Sequence, residues 1–66
     1  MEIRLNGKAR DVVDGITISR LLDDLKLQPL RVAVQVNMDI IKRERYGDVV
    51  LQPEDAVEVL TFMSGG

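Results

Sequence analysis

A two-layer α+β fold, with one helix over one face of a mixed sheet of four to five strands, is predicted by three observations on this 66-residue chain. Apolar and polar residues alternate near both ends of the chain, a single stretch around residue 20 shifts to helical spacing, and turn dipeptides separate the segments. One helix covers one face of one sheet, so the other face is expected to stay open.

Each element has its own signal. Ile3 and Leu5 alternate with Glu2 and Arg4, and Asn6-Gly7 follows as a type I′ hairpin turn, whose two central positions both need positive φ. A second strand is expected to run back over residues 9–13, ending at Asp14-Gly15. Thr17 stands at a helix N-cap, and Ile18, Leu21, Leu22 and Leu25 follow as one apolar stripe of a helix of about ten residues. Arg20 lies at ion-pair spacing from Asp23 and Asp24 on its outer face, and Pro29 is read as the helix stop. Val32, Val34 and Val36 mark a third strand that closes at Asn37-Met38-Asp39, and Ile40-Ile41 a short fourth. Residues 42–48 show no period and end in a Gly47-Asp48 turn before the apolar patch Val49-Val50-Leu51. Gln52-Pro53-Glu54-Asp55 reads as a turn with Pro at its favoured second position. Residues 56–63 form the last strand, expected to join the first in parallel through a long crossover. This arrangement is a β-grasp, placed over residues 1–63, with Ser64-Gly65-Gly66 as a flexible tail.

Composition excludes much chemistry. The chain is 45% hydrophobic and 30% charged, with mean hydropathy +0.01, which suits one small folded domain. It has no Cys, His or Trp, which removes thiolate and Ser/His catalysis, disulfides and the usual zinc sets. With no phosphate-binding loop or general-base cluster either, no catalytic residue and no metal ligand is expected, and the chain reads as a carrier, binder or subunit. Asp23-Asp24 lacks a nearby third ligand for a hard cation and reads as a solvated face. A net charge of −2 argues against nucleic acid, whose phosphates need a basic face. The one basic cluster, Lys42, Arg43 and Arg45, is interrupted by Glu44 and reads as a solvated turn or a partner contact. No apolar run approaches the ~20 residues of a membrane span and no signal peptide is evident, so no membrane is expected and the cytoplasm is the default location.

The last strand and the residues after it carry the functional signal. Val57 and Val59 are expected to point to the helix, leaving Glu58, Leu60 and Phe62 on the open face. There Leu60 and Phe62 either form a partner surface or pack under the turn near Tyr46. At ~7% Gly usage a random chain ends in Gly-Gly about one time in two hundred, so the pair invites explanation. Two glycines without Cβ atoms can extend through a narrow channel and bring a carboxylate to a reacting group. That anion can attack the α-phosphate of ATP, and the resulting acyl-adenylate can be opened by a sulfur nucleophile to a thiocarboxylate or thioester. The alternative is a frayed tail or an expression scar.

Leu5-Asn6-Gly7-Lys8, Asp14-Gly15-Ile16-Thr17-Ile18 with Leu21-Leu22, Val34-Gln35-Val36-Asn37, Lys42-Arg43-Glu44-Arg45-Tyr46, and Val57-Glu58-Val59 running into Phe62-Met63-Ser64-Gly65-Gly66 together resemble the ThiS family. These are ubiquitin-like sulfur carriers of thiamine thiazole biosynthesis, and the resemblance covers nearly all of the chain. It implies that Gly66 is adenylated by a ubiquitin-activating-type adenylyltransferase using ATP, with no cofactor bound by the carrier itself. Sulfur from a cysteine-derived donor then converts Gly66 to a thiocarboxylate, which a thiazole synthase combines with deoxyxylulose phosphate and a glycine-derived imine. Gly65 and Ser64 are implied to thread the partner's channel, and Leu60, Phe62 and Glu58 to form the docking face. Met38 and Glu54 stand where the family often has Gly, and Ser64 where relatives often have Gly or Ala. Open alternatives are a carrier feeding molybdopterin, cysteine or tRNA thiolation, a ubiquitin-like protein modifier, and an interaction module with an inert tail.

Overall fold

The computed structural model describes residues 1–62, so Met63 and the expected tail at 64–66 lie outside the described residues. Strands β1 (Glu2–Leu5) and β2 (Lys8–Asp11), helix α1 (Ile18–Asp24), and strands β3 (Val32–Val36), β4 (Asp39–Ile41) and β5 (Ala56–Thr61) follow in chain order. They build one five-stranded sheet in the order β2-β1-β5-β3-β4. β5 is parallel to β1, with Arg4 opposite Ala56 and Leu5 opposite Val57, and antiparallel to β3, with Val34 opposite Val59. The architecture is the expected β-grasp, with both hairpins flanking a central last strand.

Both hairpins turn through two residues at positive φ, as type I′ geometry demands. Asn6 and Gly7 stand at 51° and 83°, Asn37 and Met38 at 51° and 73°. At the Pro53 turn, Glu54 takes φ 66° at the third position, the conformation a type II turn requires there, and Asp55 N–H closes the turn on Gln52 O at 3.2 Å.

Helix α1 begins where the sequence placed it. Thr17 Oγ1 accepts from Arg20 N–H at 3.2 Å, and the two preceding free donors, Ile18 and Ser19 N–H, bond to Val49 O and Tyr46 O at 3.2 and 3.0 Å. The irregular segment 46–51 thus satisfies helix-end donors that would otherwise be orphaned. The helix is shorter than the ten residues read from spacing, and Pro29 does not end it. Lys26 turns left-handed at φ 60°, and Lys26 and Leu27 N–H return to Asp23 O and Leu22 O at 3.0 and 2.9 Å, a Schellman closure that takes up the last carbonyls. Pro29 instead opens a 3-10 turn over Pro29–Arg31.

Strand limits differ from the reading for a similar reason, the reach of the partner strand. β2 starts at Lys8 opposite Leu5 and stops at Asp11, because beyond it only Met1 O remains to take Val12 N–H. β5 stops at Thr61, opposite the first residue of β3, and one further bond, Phe62 N–H to Arg31 O at 2.8 Å, ends the pairing.

The core lies between helix and sheet. Ile3, Ile18, Leu21, Leu22, Val32, Val34, Leu51 and Val57 are fully buried, each side chain of this size stabilising by ~1.5–3 kcal/mol. Tyr46, at the end of a 3-10 turn over Arg43–Arg45, belongs to the same cluster.

Candidate docking face and tail exit

β5 carries the candidate docking residues, and its two faces have opposite environments. Val57 and Val59 are buried toward α1, while Glu58, Leu60 and Phe62 are exposed, Leu60 and Phe62 at 54% and 56%. Tyr46 is buried in the core, so neither packs with it into a buried cluster. Register places Ala33 beside Leu60 and Gln35 beside Glu58, and Ile40 beside Gln35. Ile40 is 75% exposed, so the open face carries a further apolar side chain on the edge strand, separated from β5 by Gln35. Alternation of Ile40 with Ile41 in the short fourth strand is the sequence signal that puts Ile40 on the outer face.

The basic cluster borders this face. Ile40, Ile41, Lys42, Glu44, Arg45 and Val49 line an open groove of about 560 Å³. Arg43 Nε donates to Pro29 O at 3.1 Å, and Arg45 Nε stands 3.8 Å from Asp48. Lys42 forms no ion pair among the described residues. On the opposite layer, Arg20 pairs with Asp24 at 3.2 Å, both well exposed, where such a pair contributes little. No group of three or more His, Cys, Asp or Glu able to hold a metal ion occurs among the described residues, and no described helix is long and apolar enough to cross a membrane.

What the sequence reading missed is how β5 is held. Asn37 Oδ1 accepts from Ala56 N–H at 3.0 Å, and its Nδ2 donates to Asp55 Oδ1, also at 3.0 Å. Asn6 grips Val59 through Nδ2 to Val59 O at 3.3 Å and Val59 N–H to Oδ1 at 2.8 Å. The first residue of each type I′ turn therefore anchors the strand from which the chain leaves toward Ser64, Gly65 and Gly66, which lie outside the described residues.

A profile of the ThiS family matches residues 3–66. The chain belongs to the ThiS family. It is 38% identical over 65 residues to the sulfur carrier protein ThiS of Bacillus subtilis, covering 97% of this chain and 98% of that protein. The thiamine biosynthesis protein ThiS of Geobacter metallireducens has the same fold, with TM-score 0.85, 35% identity and full coverage of both chains. A thiazole synthase of Magnetococcus marinus is 42% identical over 66 residues, which are all of this chain and 20% of that protein. The chain thus spans about a fifth of the length of the thiazole synthases it matches. In this ThiS-family chain, the stretches matched by the profile include the whole of β5 and the Gly65-Gly66 pair.

Proposed function

We propose that this ThiS-family chain is a sulfur carrier for thiazole formation, with Gly66 as the residue that takes up and gives away the sulfur. The observation that carries the reading is the family match, which runs unbroken through β5 and the glycine pair to residue 66. An oxygen of the Gly66 carboxylate attacks the α-phosphate of ATP on a ubiquitin-activating-type adenylyltransferase, and pyrophosphate leaves. Sulfur released from cysteine at the hydrosulfide level then attacks the carbonyl carbon of the acyl-adenylate, AMP leaves with the original oxygen, the attacking sulfur gives up its proton, and a thiocarboxylate remains.

In this division of labour the chain supplies the acyl group and a docking face, and the partner supplies catalysis and ATP. Leu60, Phe62 and Glu58 form that face, because an exposed apolar pair beside the tail is the surface a partner would bury while it receives the tail. Ser64 and Gly65 pass through its channel with little side-chain bulk. Thiazole synthase is favoured as the acceptor because proteins of that name contain a stretch similar to this whole chain.

The test is intact mass spectrometry after incubation with ATP, the host's activating enzyme and a sulfur source. A mass gain equal to sulfur replacing oxygen, mapped to Gly66 and absent from a Gly66 deletion, is expected. An enzyme active toward another carrier that leaves this mass unchanged would overturn the reading, and isopeptide-linked conjugates in its place would mark a protein modifier.

A further inference from the structure

The β1 side of β5 is closed in two different ways along its length and then left open among the described residues. At Val57, the backbone N–H of Asn6 reaches the carbonyl at 2.9 Å. At Val59, the strand partner has run out and the Asn6 carboxamide substitutes for it, bonding both the N–H and the C=O. At Thr61, nothing remains. Ala33 opposite Leu60 and the bond from Phe62 N–H to Arg31 O assign the even-numbered residues to β3, so alternation turns the Thr61 N–H and C=O toward β1. There β1 has already turned back at Asn6-Gly7, and no described hydrogen bond reaches them.

This leaves a short free edge inside the sheet, one residue before Phe62. The two outer edges are protected in the ways strand edges usually are. β2 carries Lys8, Arg10 and Asp11, all exposed, and β4 is only three residues long with Asp39 at its start. The inner notch has neither defence: Thr61 is uncharged, and Leu60 and Phe62 on either side are large, apolar and about half exposed.

We propose that the Thr61 notch is a strand-addition site, where the adenylating enzyme lays an extended segment of its own backbone against β5. The inference rests on the carrier reading. The occupant is an extended stretch with one unpaired N–H and C=O facing Thr61 and small or apolar side chains beside Leu60 and Phe62. Continuity with the Leu60–Phe62 face favours an enzyme over a second copy of this chain. Pairing two copies through one residue each falls far short of the ~800 Å² per partner of a stable interface. An added strand fixes the direction in which β5 continues, which is what presenting residue 66 to a reacting phosphate requires.

Two measurements on the full chain test this. Amide exchange, quenched from the complex with the activating enzyme and ATP and read by NMR on the released chain, should be slowed at Thr61 by at least about tenfold relative to the free chain, the scale of one hydrogen bond. Val59 N–H, already held by Asn6, should be protected in both. Thr61→Pro removes an N–H that no described residue accepts, a position where strands tolerate proline. A synthetic chain N-methylated at Thr61 does the same while keeping the side chain. Both should retain the native NMR spectrum and lose at least about tenfold in kcat/KM for thiocarboxylation. Should Thr61→Pro unfold, the N-methylated chain decides. Unprotected Thr61 in the complex, or an N-methylated chain processed at the normal rate, would overturn the proposal. Concentration-dependent protection without enzyme would overturn it in favour of a second copy. Protection of Thr61 by an active enzyme without sulfur gain would overturn the carrier reading and leave the notch standing.

Discussion

The Asn6 carboxamide holds Val59 by both of its backbone groups, at 2.8 Å to the N–H and 3.3 Å to the carbonyl. Asn37 does half of the same for Ala56, at 3.0 Å. Both asparagines sit at φ 51°, a region that asparagine tolerates better than other side chains. One residue type thus makes the hairpin turn and fastens the neighbouring strand. This gives a physical reason for the Asn in both Leu5-Asn6-Gly7 and Gln35-Val36-Asn37.

Asn6→Gly keeps the positive φ and deletes only the carboxamide, so it isolates the clamp. It should lower stability by about 1–3 kcal/mol, the cost of leaving Val59 without partners on that side. Urea unfolding followed by circular dichroism measures it, and an unchanged midpoint would show that water replaces the side chain.

Three non-glycine residues bear positive φ without a clamping role: Lys26 at 60°, Met38 at 73° and Glu54 at 66°. A left-handed L-residue costs ~1–2 kcal/mol, part of which glycine gives back as entropy. Lys26→Gly at the helix end and Glu54→Gly in the Pro53 turn should each stabilise by about 0.5–1 kcal/mol. The readout is a higher urea midpoint at constant m, and a lower one would show that the side chain contributes more than the backbone loses.

Leu60→Glu separates docking from folding. With Leu60 54% exposed, its stability change should stay within about 0.5 kcal/mol, while the rate of Gly66 activation falls. Leu22→Ala, at a fully buried position, should cost about 2–5 kcal/mol. A Leu60→Glu chain that melts like Leu22→Ala would place Leu60 in the core.

The Met1 ammonium stands 3.2 Å from Asp14 and 3.5 Å from Asp11 and donates to Val12 O at 2.6 Å. The hydrogen bond to Asp14, opposed by partial desolvation, raises its pKa above the ordinary 8.0. A folded-state pKa above the unfolded one contributes stability that is complete below the unfolded value and lost as pH rises through the folded value. The free-amine chain should therefore exceed an N-acetylated one in urea midpoint near neutrality, with the gap closing above about pH 8. A gap that is constant with pH would show that the ammonium charge is immaterial.

The sequence by itself determined the order of elements, the type I′ turn at Asn6-Gly7, the Thr17 cap, the two faces of β5 and the family, because these rest on residue spacing and local backbone preference. Where elements end was not legible in the same way. The helix stops at a left-handed Lys26, a position whose usual signal is glycine, so Pro29 looked like the terminator. Only the tertiary structure decided the rest. The Asn6 carboxamide meets Val59 from 53 residues away, and Tyr46 is drawn into the core as its carbonyl takes Ser19 N–H. Thr61 is left with an open edge because β1, whose last residue pairs with Val57, turns back at Asn6-Gly7 before it reaches Thr61. Long-range hydrogen bonds and the finite reach of each partner strand have no local signature, so they emerge only when β5 takes its place between β1 and β3.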